Sequence, residues 1–398
     1  MSHRLIFTNN TKLNNTNYIS GSGVGAVSAS SRAALKRRSN MNATTGLKCC
    51  DKVNDNVDDN VEKIYRYFVY VANSNISSVS AYEINQTTGA LTNKSDYAAG
   101  DSPRSVTVDP TGKFAYVANF NNSSVSAYKI NQSSGALTAR SDYAAGDGPN
   151  SVTVDPTGKF VYVANYDNDK VSAYKIDQTT GALTARSDYD TGDGPFSVTV
   201  DPTGKFVYVA NSNNDKVSAY KINQTTGALT PIDNYDAGDN PVSVTVDPTG
   251  KFAYVANLVA LEDGTNVTAY KINQTTGALT DKSDYAAEAG PRSVTVDPTG
   301  KFAYVANFNS FSVSAYKINP TTGHLTPIDN YAAQNGPFSV TVGPTGKFAY
   351  VANFNSATVS AYEINQSSGA LTLINNYVTG NGVGSGPRSV ITVRILIS

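Results

Sequence analysis

Apolar and polar residues alternate along most of this chain in short runs, and the runs recur. The stretch Tyr-Val-Ala-Asn begins at Tyr70, Tyr116, Tyr162, Tyr208, Tyr254, Tyr304 and Tyr350, at intervals of 46 residues with one of 50. The unit that starts at Asn150 reads NSVTVDPTGKFVYVANYDNDKVSAYKIDQTTGALTARSDYDTGDGP. Its alternation has the period of two that marks half-buried strands. Four strands are predicted: SVTV (A), FVYVAN (B), KVSAYKI (C) and ALTARSDY (D). Between A and B, DPTGK forms a tight turn: Pro presets one dihedral, Gly takes positive φ, and the Asp side chain can accept from turn amides. Four strands in a period of about 40–50 residues is the signature of a β-propeller blade.

Residue size supports this. Blades radiate from an axis, so inner strands need small residues and outer strands need bulk. Strand A supplies Ser, Val and Thr; B to D supply Phe, Tyr, Ile and Leu. Charged residues on strand D, the outer edge, should deter edge-to-edge pairing. Strand A words begin at Ser105, Ser151, Ser197, Ser243, Ser293, Ser339 and Ser389. The first strand B precedes any strand A, and the last strand A follows every strand B. Pairing SVITV at the end with YFVYVAN at the start completes seven blades, whereas an open solenoid would need capped ends. The expected fold is all-β: a seven-bladed propeller of four-stranded antiparallel blades, closed by the C-terminal strand. The expected domains are a disordered or weakly structured tail over residues 1–62 and a propeller over 63–398.

Composition narrows the function. Charged residues are 16% of the chain and the formal net charge is -1, which argues against a nucleic-acid partner. No apolar run approaches the roughly 18 residues that span a bilayer. The two cysteines, Cys49 and Cys50, are adjacent and lie outside the repeats, so neither a disulfide framework nor a zinc site is expected. The tail is Arg- and Ser-rich and poor in acids over its first 50 residues; it lacks an apolar segment before a cleavage site, so no secretory signal is expected and a cytoplasmic location is the default. A monomer without cofactor or metal is expected. The turn aspartates could suggest calcium, but turn chemistry explains them.

The words GPxSVTVDPTGKFxYVAN and VSAYKINQTTGALT resemble the lactonase-like seven-bladed propellers, and the related Tyr-Val-Thr-Asn repeats of surface proteins, over residues 65–398. The resemblance implies hydrolysis of a (phospho)sugar lactone at the channel mouth, as in 6-phosphogluconolactonases. Because these words are scaffold, a non-enzymatic propeller that binds a protein or glycan through its variable loops is the alternative.

The turns between A and B and between C and D share one face and are nearly uniform. The D-to-A and B-to-C loops share the other, where the repeats differ. The residue before each strand A word is Arg104, Asn150, Phe196, Val242, Arg292, Phe338 or Arg388. If these side chains point inward, Arg104, Arg292 and Arg388 form a basic arc facing Asn150, Phe196 and Val242, with Phe338 inside the arc. Guanidinium groups suit carboxylate or phosphate, so a small anionic or sugar-like ligand is expected there. Alternatively, the arginines are solvated or pair with loop acids such as Asp101. The position after strand B (Ser74, Phe120, Tyr166, Ser212, Leu258, Phe308, Phe354) could stack on sugars or cover loop backbone. Catalysis needs a proton-transfer group. Neither histidine should reach the mouth: His3 is in the tail and His324 in a C-to-D turn. Glu288, which replaces a loop Gly, is the candidate catalytic base. A lengthened B-to-C loop adds Glu262 and Asp263 to the same face.

Overall fold

The computed structural model describes residues 63–258, 265–380, 382 and 384–397. The expectations for the tail (residues 1–62) and for Glu262 and Asp263 lie outside the described residues. The described chain is built of strands, arranged as seven separate four-stranded antiparallel sheets. Six sheets are formed by consecutive strands. Blade two, for example, comprises Pro103–Val108, Phe114–Asn119, Ser124–Ile130 and Leu137–Ala144 as strands A to D. Blade one is composite. Its strands B to D are β1 (Tyr65–Asn73), β2 (Ser78–Ile84) and β3 (Leu91–Ala98), and its strand A is the last strand of the chain, β28 (Pro387–Leu396).

This closing pair is longer than the sequence suggests. Ser389 to Val393 pair with Ala72 to Phe68 as anticipated, but the ladder continues through Arg394, Ile395 and Leu396 against Tyr67, Arg66 and Tyr65. Ile397 N–H then donates to the Ile64 carbonyl at 2.8 Å. In the other blades strand A must stop after six residues to make the turn into B. No such turn joins β28 to β1, so both strands run on.

The blades are joined by three circular sets of hydrogen bonds. In the first, the N–H of the strand A valine donates to the strand A serine Oγ of the preceding blade, at 3.2–3.3 Å in all seven joints, from Val106 on Ser389 round to Val390 on Ser339. In the second, the Tyr-Val-Ala-Asn tyrosine hydroxyl donates to the C-to-D turn glycine carbonyl of the next blade, 2.7–3.0 Å, from Tyr70 on Gly135 to Tyr350 on Gly89. In the third, the strand C tyrosine donates to a carbonyl at the end of strand D in the preceding blade, as Tyr128 does to Ala98 and Tyr82 to Val378. These fourteen tyrosines are the buried bulk predicted for B and C, with their hydroxyls satisfied as burial requires. The C-to-D glycine is needed at two levels. Gly135 has φ of 72°, and a Cβ there would meet the Phe68 ring at 2.4 Å.

Each core cluster spans two neighbouring blades. The one across the closure joins Val69, Val71 and Tyr82 to Phe348, Tyr350 and Val390. Outer strands D are largely exposed, in a pattern such as Leu137 buried and the following five residues open. The turn aspartates are engaged by the turn itself. Asp201 accepts from Lys205 N–H and Phe206 N–H at 2.7 Å, from Thr203 N–H at 3.0 Å and from the Thr203 hydroxyl.

Candidate functional site

At the mouth of the central channel, the seven variable positions named above meet. In each blade the register between strands A and B shifts between the strand A proline and serine; Pro195 pairs with Asn211 and Ser197 with Ala210, leaving Phe196 without a partner. The same shift occurs at the other five regular blades and at Ala72/Asn73 opposite β28. A β-bulge re-aims the extra residue. Here it lets Arg104, Asn150, Phe196, Val242, Arg292, Phe338 and Arg388, together with the serine that follows each, line one cavity of about 120 Å³.

The cavity is basic on one side and aromatic on several. The Arg292 and Arg388 guanidinium carbons each lie 5.0 Å from the centroid of Phe338, which stands between them in the ring order. Arg388 also lies 4.9 Å from Phe354, Arg292 5.5 Å from Phe308 and 6.0 Å from Phe196, and Arg104 3.3 Å from Phe120. The aromatic residues after strand B therefore pack on the mouth. Phe120, Tyr166 and Phe196 form one series, tilted and then edge-on, with centroids 6.5 and 6.1 Å apart; Phe308, Phe338 and Phe354 form another, edge-on and then tilted, at 6.0 and 5.9 Å.

The arginines have few polar partners. Arg104 donates to Asn150 Oδ1 at 2.9 Å, and Arg388 Nε to Ser74 Oγ at 3.1 Å. The buried Nε of Arg104 and of Arg292 has no acceptor. Among the described residues none of the three forms an ion pair. Asp101, the expected loop partner, instead accepts from Ser77 and Asn121. Burial, and the neighbouring Arg388 charge, bring Arg104 down to about 10 even though Asp167 opposes the shift. Burial and Arg388 likewise bring Arg292 down to about 10, and burial lowers Arg388. Three partly desolvated like charges that feel one another constitute a site short of negative charge.

Glu288 is placed apart from this cavity. It is absent from the lining, and its Oε1 accepts from Asn330 Nδ2 at 2.7 Å, on the outer strand of the following blade (Leu325–Ala332). The loop Gly it replaces lies, in other repeats, over the strand B asparagine: a Cβ on Gly100 would meet Asn119 at 2.5 Å. His324 is exposed in its turn beside Tyr285, ring centroids 6.3 Å apart, on the opposite face. The cavity lining thus contains neither a carboxylate nor an imidazole. Among the described residues no group of three or more His, Cys, Asp and Glu side chains could hold a metal ion. The serine ring of the lining, Ser105 to Ser389, is not among the sequence-predicted site residues. Its only signal was the presence of Ser before Val in all seven strand A words, which turn geometry does not require.

A family model described as lactonase, 7-bladed β-propeller, matches residues 65–154, 140–246 and 243–342. No curated protein matches the sequence. Among solved structures, a 6-phosphogluconolactonase candidate from Bacteroides fragilis is 23% identical, with a TM-score of 0.73 over 82% of this chain and 98% of its own. The periplasmic gluconolactonase of Pseudomonas aeruginosa is 20% identical, with a TM-score of 0.70 over 83% of this chain and 99% of its own. Kuenenia stuttgartiensis hydrazine synthase shares the fold at 21% identity and a TM-score of 0.58, over 75% of this chain and 95% of its own. At such identities the likeness is one of architecture and does not by itself carry an activity. The continuous match from residue 65 to 342 decides the family: the chain belongs to the lactonase family of seven-bladed β-propellers.

Proposed function

We propose that the channel mouth binds a small sugar-derived lactone carrying a phosphoryl or carboxyl group, and hydrolyses it. The observation that carries this reading is the convergence of Arg104, Arg292 and Arg388 on one cavity whose lining holds no carboxylate, with no ion pair to any of the three among the described residues. An anionic substituent supplies the missing charge through charge-assisted hydrogen bonds, and the rings of Phe338 and Phe196 offer a flat apolar surface for the sugar face. In hydrolysis, water adds to the lactone carbonyl, the developing oxyanion is stabilised by a guanidinium, and the ring C–O bond breaks to give the hydroxy acid. With no carboxylate or imidazole in the lining, the residues named supply position and charge; the attacking water loses its proton to solvent, and solvent water protonates the departing ring oxygen to the product hydroxyl.

That same lack of a proton-transfer group favours a second reading, a propeller that binds such an anion, or a protein or glycan bearing it, without turnover. Calorimetric titration with 6-phosphogluconate, gluconate and glucose, paired with pH-stat hydrolysis of the corresponding lactones, separates the two. Lactonase activity predicts tight binding of the phosphorylated acid, none of glucose, and hydrolysis above the buffer rate. Binding without hydrolysis selects the second reading. Failure of every anion to bind removes both.

A further inference from the structure

The face opposite the mouth carries a circle of exposed lysines that neither reading uses. Each A-to-B turn from blade two to blade seven ends in an exposed lysine, Lys113 being the first and Lys347 the last. In blades two to six a second exposed lysine stands beside it on strand C. The N–H that follows Lys129 donates to the Lys113 carbonyl at 2.8 Å, and the arrangement repeats for Lys175 with Lys159 and Lys221 with Lys205. Eleven lysines result, and among the described residues none of them forms an ion pair. The contrast with the rest of the surface is informative: Lys94, Lys170, Lys216 and Lys282 each face a carboxylate, Glu83, Asp190, Asp236 and Asp284 respectively. The turn aspartates beneath the ring do not reach up to the lysine side chains; their oxygens are taken by turn N–H and hydroxyl groups.

The gap in the ring falls at the closure. There β1 and β28 continue past the level at which the other blades turn. The end of this ribbon is apolar and open to solvent: Ile64 is 55% exposed, Leu396 46% and Ile397 39%. One face therefore presents a repeated circle of lysines with an apolar tip at its edge.

We propose that this face docks on an anionic lipid bilayer. Six copies of one turn around an axis lie at one height, so a plane meets all the lysines together, whereas a linear polyanion follows only part of a circle. Lysine, a point charge without a bidentate fork, suits headgroup phosphates of no fixed orientation. The exposed Ile64, Leu396 and Ile397 have the character of residues that enter the headgroup–acyl boundary. A soluble acidic polysaccharide would leave them unused. Docked in this way, the protein holds its channel mouth away from the membrane and open to soluble ligands.

The test is flotation of the full chain with vesicles of phosphatidylcholine alone and of phosphatidylcholine with about a third phosphatidylglycerol. Flotation is expected only with the anionic vesicles and should be lost in high salt, which screens such contacts. Combining Lys175→Glu, Lys221→Glu and Lys271→Glu should weaken partitioning at least about tenfold, and Leu396→Ser with Ile397→Ser about threefold or more, with circular dichroism unchanged. No flotation with anionic vesicles would overturn the proposal. So would flotation that survives the triple charge reversal, since binding would then lie elsewhere in the chain. Retention on an acidic polysaccharide without flotation would reassign the lysines to a glycan and overturn it as well.

Discussion

Removal of residues 387–398 tests the joint on which the ring depends. The truncation takes away all of β28, including its continuation past the other blades. It strips the inner edge of β1 of its ladder, each bond contributing about 0.5–1.5 kcal/mol net. It also removes Val390, Val393 and Ile395, which are 4%, 7% and 0% exposed; at about 1.5–3 kcal/mol per buried aliphatic side chain this is about 5–9 kcal/mol. Both neighbouring joints open, because Val106 loses the Ser389 acceptor and Ser339 loses the Val390 donor. The sum reaches the whole stability of an ordinary domain, about 5–15 kcal/mol. The truncated chain should therefore lose its cooperative melt by near-ultraviolet circular dichroism and elute as aggregates or as oligomers paired through the free edge of β1. A synthetic peptide of residues 387–398, added during refolding, should restore part of the monomer. The graded version is Ile395→Ala, expected to cost about 2–5 kcal/mol in denaturant unfolding because the site is fully buried. A monomeric truncated protein that melts cooperatively at the full-length temperature would refute the closure and every distance quoted around the mouth.

Three further outcomes follow from the same geometry. Arg292→Met should remove the stabilisation that phosphate or 6-phosphogluconate confers in thermal melts while leaving the unliganded protein at least as stable, because a partly desolvated charge and its repulsion with Arg388 are relieved; an undiminished anion response would separate Arg292 from the site. Burial is the main cause that raises the interblade tyrosines, to about 12 for Tyr128, Tyr316 and Tyr362. Their folded pKa exceeds the unfolded value near 10, so the stability they contribute is intact below pH 10 and is lost as pH rises toward 12. The tyrosinate absorbance of these fourteen should then appear together with loss of structure, and ionisation of all 25 tyrosines near pH 10 in the folded protein would contradict this. Blade seven carries Gly343 in place of the turn aspartate, and there only the Thr345 hydroxyl, at 3.4 Å, accepts from Lys347 N–H. A Cβ at Gly343 meets nothing nearer than the Phe348 carbonyl at 3.4 Å, so Gly343→Asp should restore the turn bonds and raise stability by about 1 kcal/mol, read from the denaturant midpoint.

The strand pattern, the number of blades and the pairing of the two chain ends were legible in the residues, because each rests on local periodicity or on the phase at which the repeat begins and stops. The seven positions before strand A were legible as positions for the same reason. What they do together was not. Arg292 and Arg388 are 96 residues apart in sequence and share Phe338 only because a bulge in every blade turns its extra side chain into one channel. Glu288 stands in the same class of loop, yet hydrogen-bonds outward to Asn330; its direction depends on a neighbouring blade that no local pattern reports. The abundant tyrosines read as bulk for the outer strands, and only the packed ring shows that two from each blade fasten it to its neighbours. Local alternation specifies which residues form a sheet; the radius and closure of the ring specify which of them meet.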